Sequence, residues 1–151
     1  MTINFEPIGY VENMVTEKKD TSWGGDISRL VINEELSRGL TGLDGFSHLI
    51  VLTYLNEAKF EPQRHILRHP QGREELPVVG IFSQRAKDRP NPIGITAVEI
   101  VSIEENIVTV KGLDAIDGTP ILDIKPYFPQ FDCRGNAKTP EWVEVVMREY
   151  F

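Results

Sequence analysis

The sequence predicts a small, mainly β or α+β protein, built as a single-sheeted β-barrel with short helices and a C-terminal helix. Six or seven short apolar segments rich in β-branched residues are separated by turn signals. Only one segment, near the C-terminus, begins with the signals of a helix start. The 151 residues suit one hydrophobic core, so we expect residues 1–151 to form a single domain.

The first half of the chain contains three predicted strands and one short helical stretch. The strands lie at 5–12, 27–33 and 46–56, and one or two helical turns cover 34–40. The segment 46–56, FSHLIVLTYLN, is almost entirely apolar, so we expect it to be buried on both faces. His48 within it is then expected to be a buried, hydrogen-bonded histidine.

The second half continues the β pattern and closes with the helix. Strands are predicted at 77–82, 94–103, 106–113 and 120–125, with a short hairpin connection between the second and third of these. In the last segment Thr139 is predicted as the helix N-cap, Pro140 as the first helical residue and Glu141 as part of the first turn.

The net charge of −7 argues against indiscriminate nucleic-acid binding, which needs concentrated Lys and Arg. The charge is unevenly distributed, however, because the segment 64–89 has a net charge of +3 and the remainder −10. The segment is either a solvated loop that happens to be basic or a surface that faces an anion. Its cationic residues are Arg64, Arg68, Arg73, Arg85, Lys87 and Arg89.

Several classes of function have no support in the sequence. There is no G-x-G-x-x-G after a strand and no phosphate-binding G-x-x-x-x-G-K-[ST]. His65 and His69 are spaced i, i+4 but lack the glutamate of a zinc-protease helix, and no metal site is predicted. Cys133 is the single cysteine, which favours a reducing, cytoplasmic location. The sequence has no signal-like leader and no apolar run of about 18 residues, so neither export nor a membrane span is expected.

The segment RAKDRPNPIG, residues 85–94, is both rigid and charged. Pro90 and Pro92 fix two φ angles and favour extended geometry before them, so the loop loses little entropy when it meets a ligand. Arg85 can grip a carboxylate or a phosphate with two parallel hydrogen bonds. The segment is therefore either a preformed loop for an anion or small molecule, or a rigid structural connection.

A second polar segment, DAIDGTPILDIKPY, covers residues 114–127. The turn 117–119 combines a carboxylate, a backbone N–H and a hydroxyl. Beyond it, strand alternation places Asp123 and Lys125 on one face, and Leu122 and Ile124 on the other. Such a pair is ordinarily a surface ion pair, whereas inside a barrel mouth it would be functional.

Together these segments closely resemble the TsaA/TrmO-like family. The blocks are GIFSQRAKDRPNPIGIT, LDAIDGTPILDIKPYFP and, upstream, GLDGFSHLIVLTYLN, and the resemblance covers roughly residues 5–130. It implies a small β-barrel methyltransferase that binds S-adenosylmethionine and works as a homodimer. The activity it implies is N6-methylation of threonylcarbamoyl-adenosine at position 37 of tRNA, beside the anticodon.

The resemblance also implies a set of cofactor-binding residues. The chain departs from the family where Asn56-Glu57 replaces a common His-Gln, and where 84–87 reads QRAK in place of T-R-S-P. The implied residues are Ser22, Trp23, Gly24, Asn56, Glu57, Arg85, Ile95, Ile116, Asp117, Gly118 and Thr119.

Three further residues are candidates for the methyl-transfer step. Asp123 would accept a hydrogen bond or proton from the amine, Lys125 would bind the threonylcarbamoyl carboxylate, and Tyr127 would stack on the base; structural roles remain open for all three. The tRNA anticodon arm would lie on Arg64, Arg68, Arg73, Lys87 and Arg89. Two other functions stay open: a cofactor sensor without catalysis, and a small-molecule methyltransferase, which the charge of −7 suits better.

Overall fold

The computed structural model describes residues 1–151, and its centre is a closed barrel of six antiparallel strands. Around the barrel the strands run β1-β2-β7-β6-β3-β8, and β8 pairs with β1 to close it. The predicted barrel is confirmed. In chain order the strands are β1 (Gly9–Glu12), β2 (Ile27–Ile32), β3 (His48–Tyr54), β4 (Leu67–Arg68), β5 (Val79–Gly80), β6 (Ile93–Glu104), β7 (Ile107–Lys111) and β8 (Pro120–Pro126).

The barrel interior is filled by aliphatic side chains from alternate strand positions. In β3, for example, Leu49, Val51 and Thr53 are buried, whereas the residues between them are not. Six strands enclose a space that side chains fill completely, so the interior is a packed core. The core residues of the strands are Val11, Leu30, Ile32, Leu49, Val51, Val98, Val108, Val110 and Ile121.

The helices of the chain are all short. The predicted turns at 34–40 are confirmed as a 3-10 helix, Glu34–Leu40. The α-helices are α1 (Pro62–His65), α2 (Pro129–Asp132) and α3 (Glu141–Met147). The predicted start of the last helix is one residue too early: Pro140 has an extended ψ of 156° and is itself the N-cap, so Thr139 does not cap the helix. None of these helices combines the length and the hydropathy that a membrane crossing requires.

Two predicted strands are shorter than expected. The segment 5–12 forms a strand only at Gly9–Glu12. The segment 77–82 forms only β5, which pairs with β4 outside the barrel and continues as the 3-10 turn Ile81–Ser83. Proline at position 77 and a second turn at 81 limit pairing there.

The expectation that 46–56 is buried on both faces is wrong. β3 belongs to a barrel wall, so one face of it lines the core and the other faces outward. His48 is consequently exposed rather than buried, and its Nδ1 lies 2.7 Å from the hydroxyl oxygen of Ser47.

A β-bulge in β8 changes which side chains face the core. Leu52 of β3 is opposite Asp123, but Thr53 is opposite Ile121, so Leu122 is an extra residue without a partner. Ile121 therefore lies in the core, and the partly buried Ile124 packs against the core. The prediction that Leu122 shares a face with Ile124 fails because simple alternation assumes an unbroken register.

The two ends of the barrel carry very different connections. At one end, the segments 13–26, 55–92 and 112–119 join the strands; we call this the loop end. The opposite end carries residues 33–47, the two-residue turn 105–106 and the chain that leaves β8. Most of the irregular chain is thus concentrated at the loop end, where ligand sites of barrels commonly form.

Candidate functional site

All the cofactor-binding residues that the sequence predicted lie at the loop end. The strand topology brings them together although they come from distant parts of the chain. They are Ser22, Trp23 and Gly24 in segment 13–26; Asn56, Glu57 and Arg85 in segment 55–92; Ile95 near the start of β6; and Ile116, Asp117, Gly118 and Thr119 in segment 112–119.

The segment 112–119 is fixed to the end of β1 by Asn13. The amide of Asn13 donates to the hydroxyl of the fully buried Ser28 at 2.9 Å and to the carbonyl of Ala115 at 2.8 Å. Its backbone N–H donates to Asp117 Oδ1 at 2.9 Å, and the Asp117 N–H donates to the Val15 carbonyl at 2.7 Å. The sequence reasoning missed Asn13, because a single asparagine after a strand forms no motif.

The turn itself is held by its own residues. Gly118 has a φ of +81°, a conformation that disfavours any side chain, and its N–H donates to the Val11 carbonyl at 2.7 Å. The buried hydroxyl of Thr119 donates to the Ile116 carbonyl at 2.7 Å. The turn is therefore rigid, and it leaves Asp117 and Gly118 exposed to solvent.

The proline-rich loop before β6 is also cross-linked. The buried Gln84 donates its side-chain N–H groups to the carbonyls of Arg68 and Val79, each at 3.0 Å. Arg89 Nη1 in turn donates to the Gln84 carbonyl at 3.0 Å. These bonds join the loop to β4 and β5, so Arg85 projects from a rigid support. Gln84 is a second residue that the sequence did not mark.

Arg85 is exposed and makes one hydrogen bond, from Nη2 to the Ile95 carbonyl at 2.8 Å. Its other guanidinium donors remain for a ligand. Ile95 beside it is 49% exposed. The loop end therefore presents a cation next to an apolar surface.

Asn56 and Glu57 lie two and three residues after the end of β3, and both are exposed. Lys18 Nζ donates to the Glu57 carbonyl at 2.9 Å, which ties segment 13–26 to segment 55–92. The side chains of this pair contribute little further, since Lys18 Nζ is 4.0 Å from the exposed Glu57 carboxylate.

Trp23 is placed differently from a ligand-contacting residue. Its side chain is part of the interior, with 3% of the residue exposed, and its indole N–H donates to the Lys19 carbonyl at 3.3 Å. Ser22 and Gly24 flank it beside the C-terminal residues. Trp23 therefore stabilises the loop end from the interior, whereas residues 56–57 and 117–118 face solvent.

Asp123 and Lys125 form an ion pair of 2.9 Å on the outside of the barrel. Their side chains are 46% and 62% exposed, so the pair has the geometry of a surface ion pair. The hydrogen bond and the charge of Asp123 raise the pKa of Lys125. Leu52 is paired with Ile95 on one side and with Asp123 on the other, so Asp123 lies about 10 Å across the sheet from Ile95.

Tyr127 lies at the opposite end of the barrel. Its N–H donates to the His48 carbonyl at 3.1 Å, and along β8 it is about 25 Å from Thr119. It lines a groove of about 470 Å³ whose rim includes Phe46 and Phe128, stacked with ring centroids 5.8 Å apart. Within one chain, therefore, Tyr127 does not share a site with the loop-end residues.

The basic segment is partly neutralised by its own acidic neighbours. Arg89 is bonded to loop carbonyls, whereas Arg64 remains largely exposed, with 72% of its side chain accessible. Lys87 has no bonded partner but is only partly exposed. The ion pairs are Arg64 with Glu61 at 3.5 Å, Arg68 with Asp88 at 4.0 Å and Arg73 with Glu75 at 2.6 Å.

Residues 18–133 match the model of the tRNA-methyltransferase O N-terminal domain family, which is more than half of the chain. The chain belongs to this family. The resemblance that the sequence blocks indicated is therefore confirmed, and the tRNA-methyltransferase O match includes both the proline-rich loop and the turn at 117–119.

Relatives of the chain have two kinds of name. A probable S-adenosyl-L-methionine-binding protein of Pyrococcus abyssi is 40% identical over 95% of this chain and 78% of its own length. An S-adenosyl-L-methionine-binding protein of Archaeoglobus fulgidus is 36% identical over 85% of this chain and 91% of its own. The human tRNA (adenine(37)-N6)-methyltransferase is 33% identical over 89% of this chain, but over only 32% of its own length.

The fold agrees with a solved member of the family. The crystal structure of TrmO from Pseudomonas aeruginosa superposes with a TM-score of 0.77 and 28% identity, over 94% of this chain. The chain spans 62% of the length of that structure.

Proposed function

We propose that this chain is an S-adenosylmethionine-dependent methyltransferase that methylates N6 of adenosine 37 in tRNA, with threonylcarbamoyl-adenosine as the preferred acceptor. The observation that carries the proposal is the convergence of Arg85, Ile95 and the turn 117–119 at one end of the barrel. Membership of the tRNA-methyltransferase O family supports the reaction type. The names of the human and archaeal relatives support the acceptor and the cofactor, respectively.

The loop end has the donor and acceptor groups that S-adenosylmethionine needs. The free guanidinium donors of Arg85 suit the carboxylate of its amino-acid part. Ile95 offers apolar surface for the adenine, and Asp117 offers an exposed carboxylate oxygen for the ribose hydroxyls. When bound, the cofactor supplies an electrophilic methyl group, so the main task of the protein is to hold the acceptor amine in line.

We infer that Asp123 receives the acceptor amine. It lies on the outer sheet surface about 10 Å from Ile95, and a base between them would lie over Leu52, which is paired with both. Its carboxylate can accept a hydrogen bond from the exocyclic amine and take the proton that leaves. Exposed ion pairs are weak because water screens them, so Lys125 can leave Asp123 at small cost and bind the threonylcarbamoyl carboxylate.

The position of Tyr127 favours a contact with RNA outside the reacting base. The aromatic groove around it can stack an unpaired nucleotide. The arginines of segment 64–89 would contact the anticodon arm from the loop end, chiefly through the exposed Arg64. The single exposed cysteine, Cys133, suits a reducing compartment, and we place the activity in the cytoplasm.

A homodimer is also part of the proposal. The outer face of β3 and β6 carries exposed apolar side chains at its loop-end edge, where Tyr54 and Ile93 are each more than 40% exposed. Such a face favours burial against a second copy. Light scattering should show a dimer that Tyr54→Asp weakens, whereas Ile27→Asp, at an exposed isoleucine on β2, should leave the dimer intact.

The function is tested by transfer of a labelled methyl group from S-adenosylmethionine. Three acceptors are compared: tRNA with threonylcarbamoyl-adenosine, the same tRNA without that group, and a tRNA-free metabolite extract. We expect label in the first, and a single N6-methylated nucleoside after digestion. Asp123→Asn should lower turnover much more than cofactor affinity, while Asp44→Asn, at an exposed acid of the opposite end, should behave as the wild type.

A sensor that binds the cofactor without catalysis is the second candidate. It is favoured by the ion pair of Asp123 with Lys125, which satisfies both groups without a substrate, and by the binding-protein names of the archaeal relatives. Cofactor binding without label in any acceptor would support the sensor. Label in the metabolite extract alone would support a small-molecule methyltransferase instead.

A further inference from the structure

The C-terminal residues fold back onto the loop end. The chain leaves β8 at the opposite end of the barrel, passes through α2 and α3, and returns to segment 13–26. There the N–H of Ser22 donates to the Glu149 carbonyl at 2.7 Å, and the N–H of Trp23 donates to the Tyr150 carbonyl at 2.8 Å. Two consecutive backbone bonds fix the position of the returning segment.

The contact is also close-packed. A side chain at Gly24 would bring its Cβ within 2.6 Å of the Phe151 carbonyl carbon, so only glycine permits this approach. Trp23 is covered on its other side by Lys19, whose Nζ lies 4.6 Å from the indole centroid. The C-terminal residues are therefore closely packed against segment 13–26.

The side chain of Tyr150 extends the contact to the other site segments. Its hydroxyl donates to Asp114 Oδ2 at 2.5 Å, and the other oxygen of Asp114 accepts from the hydroxyl of the buried Thr96. Thr96 follows Ile95, whose carbonyl holds Arg85. Tyr150 thus connects three parts of the loop end. Its backbone carbonyl is bonded to segment 13–26, and its phenol is bonded to Asp114 of segment 112–119 and, through Asp114, to β6.

The electrostatics agree with this geometry. Burial, followed by the charge of Asp114 and its hydrogen bond, raises the pKa of Tyr150, so the phenol remains a neutral donor. The positive charge of Arg85 acts in the opposite direction, as expected of a guanidinium nearby. Without the phenol, Asp114 would face Thr96 alone in a partly buried position.

We propose that Tyr150 is a positioning residue of the cofactor site, which holds Asp114 and the segment 22–24 so that Arg85, Ile95 and the turn 117–119 keep one arrangement. The inference rests on the cofactor site described under the proposed function. Tyr150 acts through Asp114. Its removal should therefore weaken S-adenosylmethionine binding in a chain that is still folded.

The test is calorimetry of S-adenosylmethionine binding to the wild type, Tyr150→Phe and Asp114→Ala, at a temperature where near-UV circular dichroism shows each to be folded. Tyr150→Phe should weaken binding by about 10- to 150-fold, the equivalent of one hydrogen bond to a charged group. The double variant should bind S-adenosylmethionine no more weakly than the single variant with the lower affinity, because both substitutions remove the same hydrogen bond. Tyr10→Phe, at an exposed tyrosine of β1, is the matched control and should bind as the wild type.

The outcomes separate the two proposals. If Tyr150→Phe lowers the melting temperature but binds with the wild-type dissociation constant, Tyr150 only stabilises the fold and the inference is overturned. If Arg85→Ala weakens binding while both Tyr150→Phe and Tyr150→Ala do not, the site stands without the C-terminal segment. A wild-type chain with no affinity for S-adenosylmethionine would overturn the site and the inference together.

Discussion

The barrel interior and the loop end are stabilised by different interactions. The interior consists of aliphatic side chains such as Leu30, Leu49 and Val51, each fully buried and contributing by removal from water. The loop end is held by single polar side chains, of which Asn13, Gln84 and Asp114 each connect separate segments. The barrel of this chain is therefore stabilised by many similar apolar contacts, and its candidate site by a few individual hydrogen bonds.

The two kinds of interaction contribute different amounts to the free energy of unfolding. A fully buried aliphatic side chain stabilises a fold by about 1.5–3 kcal/mol, whereas a hydrogen bond contributes about 0.5–1.5 kcal/mol net. Substitutions in the interior should therefore change stability most. Substitutions at the loop end should change binding more than stability.

The largest effect is expected for Leu30→Ala in the core. Removing this side chain leaves a cavity that the packed strands cannot fill, so the free energy of unfolding should fall by about 2–5 kcal/mol in urea denaturation. The folded fraction should keep its affinity for S-adenosylmethionine. Leu36→Ala, at a leucine that is 43% exposed, is the control and should change stability by less than about 0.5 kcal/mol.

Arg85→Ala should show the reverse pattern. The guanidinium is exposed and bonded to one carbonyl, so its loss should hardly change the melting temperature. Binding of S-adenosylmethionine should weaken by about 1–3 kcal/mol, the range for removal of a charged hydrogen bond. Arg38→Ala, at an exposed arginine outside the loop end, should leave the affinity intact. Unchanged calorimetric affinity for Arg85→Ala would remove this residue from the site.

A smaller effect is expected from the basic segment. Replacing Arg64, Arg68 and Arg73 together by glutamine should weaken tRNA binding and lower its salt dependence, by roughly 0.7–0.9 in the log–log slope for each phosphate that is no longer neutralised. Because Arg68 and Arg73 are paired with Asp88 and Glu75, we expect the slope to change by less than the loss of three phosphate contacts would give. Salt titrations should be compared with the triple glutamine variant of Arg29, Arg38 and Arg148, exposed arginines outside this segment. Identical slopes for the two triple variants would mean that the segment does not bind RNA.

The smallest expected effect is the contribution of Tyr150 to the pH dependence of stability. Burial and Asp114 raise the pKa of Tyr150 in the folded chain, whereas an unfolded tyrosine titrates near about 10. Folding therefore favours the neutral phenol: this contribution is complete below about pH 10 and is lost as the pH rises toward the folded-state pKa. In urea denaturation between about pH 9 and pH 11, wild-type stability should fall more steeply than that of Tyr150→Phe. Equal slopes would contradict the assignment, and Tyr10→Phe should keep the wild-type slope.

The sequence by itself determined the barrel and most of the candidate site segments. Period-two alternation marks buried positions, and it placed the strands at 27–33, 94–103 and 106–113 close to their observed bounds. The proline-rich loop and the turn at 117–119 are local motifs, so their residue types suggested a ligand site before any contact was known. Family resemblance added the residues at 56–57 and at 95.

The tertiary structure decided what depends on register and on distant partners. The bulge at Leu122 shifts the faces of β8, which local alternation cannot reveal because the unpaired residue is defined only against β3. Asn13 meets Asp117 across 104 residues, and Tyr150 meets Asp114 across 36. A lone asparagine or tyrosine has no periodic signal, since its role comes entirely from the group that folding brings to it. For the same reason, only the folded barrel showed that Tyr127 lies at the end opposite Arg85.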